Sequence, residues 1–243
     1  MSLLCEASRE GSISWCKHLL AAGSDVEEKD ENGWTPLLYA ADLGYTEVCE
    51  LLLEEGKANI EETTAKGSTA LKLAATEGHA STVALLLSKG ARVDTGGKDG
   101  FTPLLTAAQN GHTKVCNMLL AAGSDLKERE PSAEYTALHF AAINGHIDLC
   151  ELLISRKADL NSKNKIGQTP LLCASQEGHL ASVRTLLQAG ADPLLPDHHG
   201  FLPIHLAAWK NHPKVMKILI EQGGCNIDQV KHTALQSIDF HLF

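Results

Sequence analysis

The sequence predicts an all-α solenoid of stacked helix pairs, and three repeating features lead to that prediction. A helix-start pattern recurs at a nearly constant period, an apolar second helix follows each copy, and a polar connector joins one pair to the next. The clearest copy is GFTPLLTAAQNGH at residues 100–112. Within it Thr102 is a good N-cap, Pro103 suits the first helical position, and Gly111 can take the left-handed conformation that ends a helix. A helix this short needs packing partners to be stable.

The spacing of the copies indicates a stacked array rather than a globule. At intervals of 33 or 34 residues the cap position is occupied by Thr35, Thr69, Thr102, Thr136, Thr169 and Leu202. A fixed period of this length means that each unit buries its apolar side against the next. We therefore expect a single domain over residues 1–243, with about seven repeats and a partial C-terminal unit. The repeats are predicted at 1–32, 33–66, 67–99, 100–133, 134–166, 167–199 and 200–230, and the partial unit at 231–243.

Each first helix is followed by a second helix and a connector. In the repeat at 100–133, the apolar residues Val115, Leu119 and Leu120 recur at helical spacing. A glycine followed by alanine or serine and aspartate breaks this helix, and about seven polar residues lead to the next turn glycine. The residues alone predict this connector only as a loop.

The period, the Thr-Pro-Leu start and the histidines His139 and His205 resemble the ankyrin-repeat family along nearly the whole chain. The resemblance implies helix-turn-helix pairs, connectors that form projecting β-hairpins, and a concave groove that binds proteins. Elsewhere the histidine is replaced by Leu38, Lys72, Leu105 and Leu172. We expect those repeats to lose a helix-end polar contact. The connector that contains Pro131, and has Glu134 where the turn glycine should be, is expected to be deformed at its tip.

The net charge of −9 is concentrated in the first repeats. Residues 1–66 contain 14 acidic and 5 basic side chains, whereas residues 67–243 contain 16 of each. This balance argues against nucleic acid, which needs a basic face, and the lack of an apolar run of about 18 residues argues against a membrane span. The acidic residues either solvate one end of the array or steer a basic partner segment toward it. The predicted steering patch consists of Glu27, Glu28, Asp30 and Glu31.

The cysteine and histidine patterns predict structural roles and no metal or other cofactor. The seven cysteines form no C-x-x-C pair, and one repeat position holds Cys16, Cys49, Cys116 and Cys150. We predict small buried residues in a reducing compartment, the cytoplasm, with the nucleus as the alternative. Another shared position holds His79, His112, His146 and His179. Helix-linker hydrogen bonds are expected there rather than a metal site, because stacked repeats keep the rings apart.

The predicted binding residues differ from one repeat to the next at positions where packing of the core does not fix the residue type. In the family, the residue between the turn glycine and the cap, and the two residues before the helix-ending glycine, face the groove. The predicted partner contacts there are Trp34, Leu43, Phe101, Asn110, Tyr135, Ile143, Phe201 and Trp209. Exposed aromatic residues are typical anchors of protein interfaces. The alternative is that each ring packs on its own connector and stiffens the array.

These patterns together predict a monomeric, non-catalytic module that binds a protein or peptide partner in the concave groove. No nucleophile, phosphate loop or converging acid pair indicates an enzyme. The alternative function is the substrate-recognition or adaptor part of a larger assembly, such as a ubiquitin ligase. In that case residues 231–243 would lead into a further domain, whereas otherwise they form a C-terminal cap.

A modification site is implied by resemblance alone. The sequence LISRKADLN at residues 153–161 resembles the ankyrin connector recognised by the asparaginyl hydroxylase that also modifies hypoxia-inducible factor. The shared pattern is a leucine, five residues, an acid, an aliphatic residue and an asparagine. Asn161 is therefore a candidate for hydroxylation, and an unmodified connector asparagine is the alternative.

Overall fold

The computed structural model describes residues 2–226, which form fourteen α-helices and no strand. The predicted all-α fold class is confirmed for this part of the chain. The chain divides into two compact units, Met1–Asp125 (unit 1) and Leu126–Phe243 (unit 2). The predicted partial unit at 231–243 lies outside the described residues.

The described part of unit 1 consists of four helix pairs. Its helices are α1 (Leu3–Arg9), α2 (Ile13–Ala21), α3 (Pro36–Asp42), α4 (Thr46–Glu54), α5 (Ala70–Glu77), α6 (Ala80–Ser88), α7 (Pro103–Gln109) and α8 (Thr113–Ala121). The odd-numbered first helices pack on one another in sequence, and so do the even-numbered second helices. The core therefore runs through the whole unit, with Leu52, Leu71 and Leu104 fully buried.

Unit 2 repeats this arrangement with three helix pairs among its described residues. Its helices are α9 (Ala137–Ile143), α10 (Ile147–Ser155), α11 (Pro170–Glu177), α12 (Leu180–Gln188), α13 (Pro203–Trp209) and α14 (Pro213–Glu221). First helices again pack on first helices and second helices on second helices. Leu138, Leu149 and Leu153 belong to its fully buried core.

The predicted helix signals act locally as expected. The Thr102 hydroxyl accepts a hydrogen bond from the Leu105 backbone N–H at 3.4 Å, and Pro103 occupies the first helical position. Gly111 takes the left-handed conformation, with a φ of 77°. These local interactions supply partners for backbone groups that a helix end leaves unpaired.

The four cysteines that share a repeat position are all buried, and each is a free thiol. Burial raises the pKa of the Cys49 and Cys116 thiols to about 12. These side chains are therefore neutral at physiological pH and act as small apolar residues, as predicted.

The connectors differ from the implied β-hairpins, because they are turns with little strand pairing. Each is closed by two backbone hydrogen bonds, such as those from the Asp30 N–H to the Trp34 carbonyl and from the Gly33 N–H to the Asp30 carbonyl, both at 3.0 Å. Within residues 2–226 the one bridge between extended residues joins Thr63 and Thr69. The physical reason lies in the side chain of Asp30, whose Oδ1 accepts the N–H groups of Asn32 and Trp34, both at 2.9 Å. In this connector the carboxylate thus takes the Trp34 N–H that a hairpin would pair across strands.

The irregular connector in unit 2 is lengthened but well held. Its closing bond runs from the Glu130 N–H to the Tyr135 carbonyl, which is one residue farther than in the other connectors. The buried Glu130 carboxylate accepts the N–H of Ser132 at 2.8 Å and the N–H of Ala133 at 2.6 Å. Glu134 takes the left-handed conformation expected of the missing glycine, with a φ of 62°. The expected change at the tip is therefore an extra residue that the Glu130 side chain organises.

Lys72 contradicts the prediction that repeats without the histidine lose a polar contact. In unit 2, buried His139 bonds through Nε2 with the Gln168 carbonyl of the next connector at 3.0 Å. Lys72 occupies the same repeat position in unit 1, and its Nζ reaches Asp99 Oδ1 of the next connector at 2.6 Å. The lysine chain is long enough to make the equivalent link with an ion pair.

Candidate partner-binding surface

We define the helix-end edge of each unit as the two residues that lie seven and eight positions after the N-cap of a first helix, for the six first helices whose N-cap is Thr35, Thr69, Thr102, Thr136, Thr169 or Leu202. In unit 1 the edge consists of Asp42, Leu43, Thr76, Glu77, Gln109 and Asn110. In unit 2 it consists of Ile143, Asn144, Gln176, Glu177, Trp209 and Lys210. The ring positions are the residues directly before each cap: Trp34, Ser68 and Phe101 in unit 1, and Tyr135, Gln168 and Phe201 in unit 2.

The repeated histidines fix this edge in place. In unit 1, His79 Nε2 lies 2.9 Å from the Asp42 carbonyl oxygen, and His112 Nε2 lies 3.0 Å from that of Thr76. In unit 2, His179 Nε2 lies 2.8 Å from the Ile143 carbonyl oxygen. Each ring thus ties the end of a first helix to the next repeat, which confirms the hydrogen-bonding role predicted for these three histidines. Within residues 2–226 no group of three His, Cys, Asp or Glu side chains could hold a metal ion.

The ring of Trp34 in unit 1 is partly engaged by its own repeat. Its centroid lies 5.0 Å from that of Tyr39, and the Tyr39 hydroxyl donates to Asp30 Oδ2 at 2.5 Å. Burial, helped by the bond to Asp30, raises the pKa of Tyr39 to about 12. Trp34 and Phe101 are both half-buried, so each leaves part of its surface open to solvent.

The helix-end edge of unit 1 combines apolar and acidic groups. Leu43 is 41% exposed. Burial raises the pKa of the neighbouring Asp42 carboxyl, and the negative charge of Glu77 raises it further. Asn110 is exposed, but its amide donates to the Thr76 carbonyl at 2.8 Å and so also has a structural role.

The edge of unit 2 has a different chemistry, because it ends in an exposed aromatic residue. Trp209 is 68% exposed, and its ring centroid lies 6.2 Å from that of Phe201. Lys210 Nζ lies 6.0 Å from the Trp209 ring centroid, within cation–π distance. Ile143 and Tyr135 are half-buried.

Tyr135 packs within its own repeat. Its ring centroid lies 5.7 Å from that of His139 and 5.5 Å from that of Phe140. The local-packing interpretation is thus observed for this ring, which also remains partly exposed to solvent.

Sequence reasoning missed a polar chain between the rings of unit 2. The Gln168 amide donates to Gln176 Oε1 at 3.1 Å, and the Gln176 amide donates to Glu177 Oε1 at 3.1 Å. The signal was that Gln168 stands at a ring position between two aromatic residues. This chain orients polar groups at the edge next to the apolar ones.

Half of the predicted acidic steering patch is committed to internal bonds. Glu27 Oε1 accepts the Asn59 N–H at 2.6 Å, which links adjacent connectors. Burial pushes the pKa of Asp30 upward, but hydrogen bonds from Tyr39 and the backbone outweigh it and leave that pKa below its usual value. Glu28 and Glu31 are exposed. These two remain available to attract a cationic partner.

Asn161 lies exposed on a connector of unit 2 and also has a structural contact. Its Oδ1 accepts the Asp192 N–H of the next connector at 3.0 Å, and its own N–H donates to Asp159 Oδ1 at 3.0 Å. Glu61 holds the same repeat position in unit 1 and accepts the Arg92 N–H at 2.8 Å. The position therefore links neighbouring connectors whatever its further use.

A family model and several known proteins match the chain. The model described as ankyrin repeats (3 copies) matches residues 4–96, 57–130, 104–197 and 138–231. The ankyrin repeat and KH domain-containing protein mask-1 of Caenorhabditis elegans is 34% identical over 64% of the chain and 6% of its own length. The ankyrin repeat protein nuc-2 of Neurospora crassa is 27% identical over 89% of the chain and 20% of its own length. The chain thus spans a small part of these curated relatives.

Two solved structures share the fold over most of the chain. The human ASB11 ankyrin repeat domain has a TM-score of 0.81 and 26% identity, covering 89% of this chain and 97% of that one. The ankyrin repeat domain of Bcl-3, a member of the IkappaB protein family, has a TM-score of 0.77 and 25% identity, covering 90% and 98%. None of the helices described for the present chain has the length and apolar character required to cross a membrane.

Proposed function

Because the chain belongs to the ankyrin-repeat family, we propose that it is a non-catalytic module that binds a partner polypeptide at its helix-end edge and ring positions. Ankyrin-repeat domains are in general protein-interaction modules. The observation that carries the proposal is the exposure of Leu43 and Trp209 at this edge. Neither residue belongs to the buried core, and exposed apolar groups among polar neighbours are typical of protein interfaces.

The exposed acidic residues of unit 1 favour a partner that carries a basic segment. Glu28, Glu31 and Glu77 are exposed, and residues 1–66 carry the whole net charge of the chain. Charges of this kind raise the rate of encounter more than the final affinity. A basic partner segment is therefore expected to associate faster at low ionic strength.

The proposal includes a monomer located in the cytoplasm, with the nucleus as the alternative. Seven free, buried cysteines support a reducing compartment. The second candidate function is an adaptor within a larger assembly such as a ubiquitin ligase. It is favoured by the relatives, because the match covers only 6% of the length of one and 20% of the other. Sequencing the natural transcript beyond residue 243 distinguishes a separate module from one part of such an assembly.

Binding at the helix-end edge and the ring positions is tested with the double substitution Phe101→Ala/Trp209→Ala. Partners are first identified by affinity purification from cell lysate, and the affinity of a purified partner is then measured by calorimetry. We expect the double variant to bind at least about tenfold more weakly, since aromatic anchors carry a large share of interface energy. Unchanged affinity would show that the partner binds elsewhere.

A matched control keeps this test specific. Leu3 and Leu194 are exposed apolar residues away from the edge and the ring positions, so Leu3→Ala/Leu194→Ala removes apolar surface without touching the proposed site. This control should retain wild-type affinity. Circular dichroism melting curves of both double variants should match the wild type.

Hydroxylation of Asn161 remains a separate proposal, supported by the connector pattern and by the exposure of the residue. It is tested by incubating the whole chain with the asparaginyl hydroxylase and sequencing the peptides by mass spectrometry. The expected result is a gain of one oxygen atom on Asn161 that the Asn161→Gln variant does not acquire. An unmodified Asn161 after complete turnover of a control substrate would contradict the proposal.

A further inference from the structure

Trp209 is the most exposed large apolar side chain among residues 2–226. It ends α13, seven residues after the cap position, where the preceding repeat of unit 2 has Gln176. A polar residue is thus compatible with the fold at this position, and packing does not require the indole. Its presence places an apolar surface on an otherwise mainly polar edge.

Neighbouring side chains hold the Trp209 ring as a platform. The Phe201 ring is tilted by 36° against it, and Lys210 Nζ approaches the ring at 6.0 Å. Phe201 is itself braced edge-on by His205, at 6.4 Å and 83°. A platform held in this way loses little conformational entropy when a ligand covers it.

The sequence around this platform has a charge opposite to that of the first repeats. Residues 198–220 contain three lysines and no acidic residue. The lysines Lys210, Lys214 and Lys217 are all exposed. Lys217 pairs only loosely with the exposed Glu221, at 3.8 Å, so the pair neutralises little of the positive potential.

We propose that Phe201, Trp209 and Lys210 form a docking surface for an acidic segment of a partner polypeptide that carries an apolar anchor residue. The anchor covers the exposed part of the Trp209 ring, and a neighbouring carboxylate pairs with Lys210. Charge complementarity and the exposed indole together select this occupant. The inference rests on the proposed function and names the chemistry of the segment that unit 2 binds, in contrast to the basic segment proposed for unit 1.

An aromatic ring next to lysines can also stack on a nucleic acid base, but the charges favour a polypeptide. The described residues 126–226 contain ten acidic and ten basic side chains, so unit 2 lacks the basic face that releases counterions from a phosphate chain. A short acidic peptide needs only the local lysines. Binding of a single-stranded oligonucleotide therefore serves as one outcome of the test.

The test selects short random peptides displayed on phage against the whole chain. Selected peptides are screened for those that no longer bind the Trp209→Ala variant, and their affinities are measured by fluorescence anisotropy. We expect these peptides to be enriched in Asp and Glu beside Leu, Phe or Trp. Trp209→Ala should weaken them at least about tenfold, as for an interface anchor.

The charge is tested separately with Lys210→Glu. This variant should weaken the same peptides at least about fivefold at low salt, and added salt should reduce the difference because it screens exposed charges. Lys114→Glu makes the same charge change on the exposed surface of α8 in unit 1 and should leave affinity unchanged. Melting curves confirm that both variants are folded.

Three results would overturn the inference. They are Trp209-dependent peptides that are neutral or basic, no effect of Lys210→Glu, or an oligonucleotide that competes with the peptides at micromolar concentration. In the first two cases the proposed binding function survives, because peptides still need the edge. Peptides that bind but depend on neither Trp209 nor Phe101 would instead overturn the proposed function itself.

Discussion

Units 1 and 2 differ at the repeat position three residues after the cap, where a buried polar side chain bonds with the next connector in both units. In unit 1, Lys72 is nearly inaccessible, with 4% of its side chain exposed, and pairs with the 57% exposed Asp99. In unit 2, His139 is fully buried and bonds with Thr136 and the Gln168 carbonyl. Burial lowers the pKa of His139 to about 4, so the ring is neutral. Either a charged or a neutral group can link this position to the next connector, although Leu38, Leu105 and Leu172 occupy it without such a link.

The largest change in the free energy of unfolding is expected in unit 1, on breaking the pair between Lys72 and Asp99. Asp99→Ala leaves the Lys72 ammonium buried without its carboxylate and should lower the free energy of unfolding by about 3 kcal/mol. Lys72→Met should lower the free energy of unfolding less, by about 1 kcal/mol, because Asp99 is exposed and water can solvate it. Urea denaturation followed by circular dichroism measures both changes.

The double variant Lys72→Met/Asp99→Ala provides the control for that experiment. Removing both charges leaves no buried ammonium, so the double variant should be more stable than Asp99→Ala alone. Equal stability of these two variants would show that the buried charge is not the cause.

The second prediction is an acid sensitivity that unit 2 derives from His139. The unfolded imidazole has a pKa near 6.5 and the folded one a pKa of about 4, so the folded state binds the proton less well. The neutral His139 therefore contributes fully to the free energy of unfolding above pH 6.5. This contribution is lost as the pH falls toward 4, and the total loss is about 3 kcal/mol. Urea midpoints between pH 7 and pH 4 measure the loss.

His139→Leu is the matched variant, because unit 1 carries Leu38 and Leu105 at this position. It should cost about 1 kcal/mol at pH 7, since the Thr136 N–H and the Gln168 carbonyl lose their partner. The free energy of unfolding of this variant should also change less with pH than that of the wild type. An equally steep loss of stability in this variant would assign the acid sensitivity to other groups.

The smallest effects concern the turn residue of the connectors. Gly33 in unit 1 has a φ of 78°, and an added Cβ would meet only ordinary contacts, so Gly33→Ala isolates the backbone penalty of about 1 kcal/mol. Glu134 in unit 2 already bears such a penalty, and Glu134→Gly should be neutral or stabilising by up to about 0.5 kcal/mol. Thermal melts should show a lower melting temperature for Gly33→Ala and an unchanged or higher one for Glu134→Gly. A lower melting temperature for Glu134→Gly would contradict this prediction.

The local features of this protein could be predicted from sequence because they depend on near neighbours along the chain. Thr102 caps its own helix, Gly111 ends it, and the period follows from repetition of such signals. The buried cysteines were predictable for the same reason, since a shared position in an amphipathic helix faces the same side each time.

The parts that required the tertiary structure depend on residues about one repeat apart. Sequence position did not reveal that Lys72 reaches Asp99, that Glu27 is occupied by the Asn59 N–H, or that the connectors contain turns instead of strand pairs. The chain by itself determined which helices form and the period at which they recur. Only the packing of successive repeats decided which polar groups are bonded and which rings, above all Trp209, remain exposed, because the residues that a side chain meets across a repeat depend on distance in space and not in sequence.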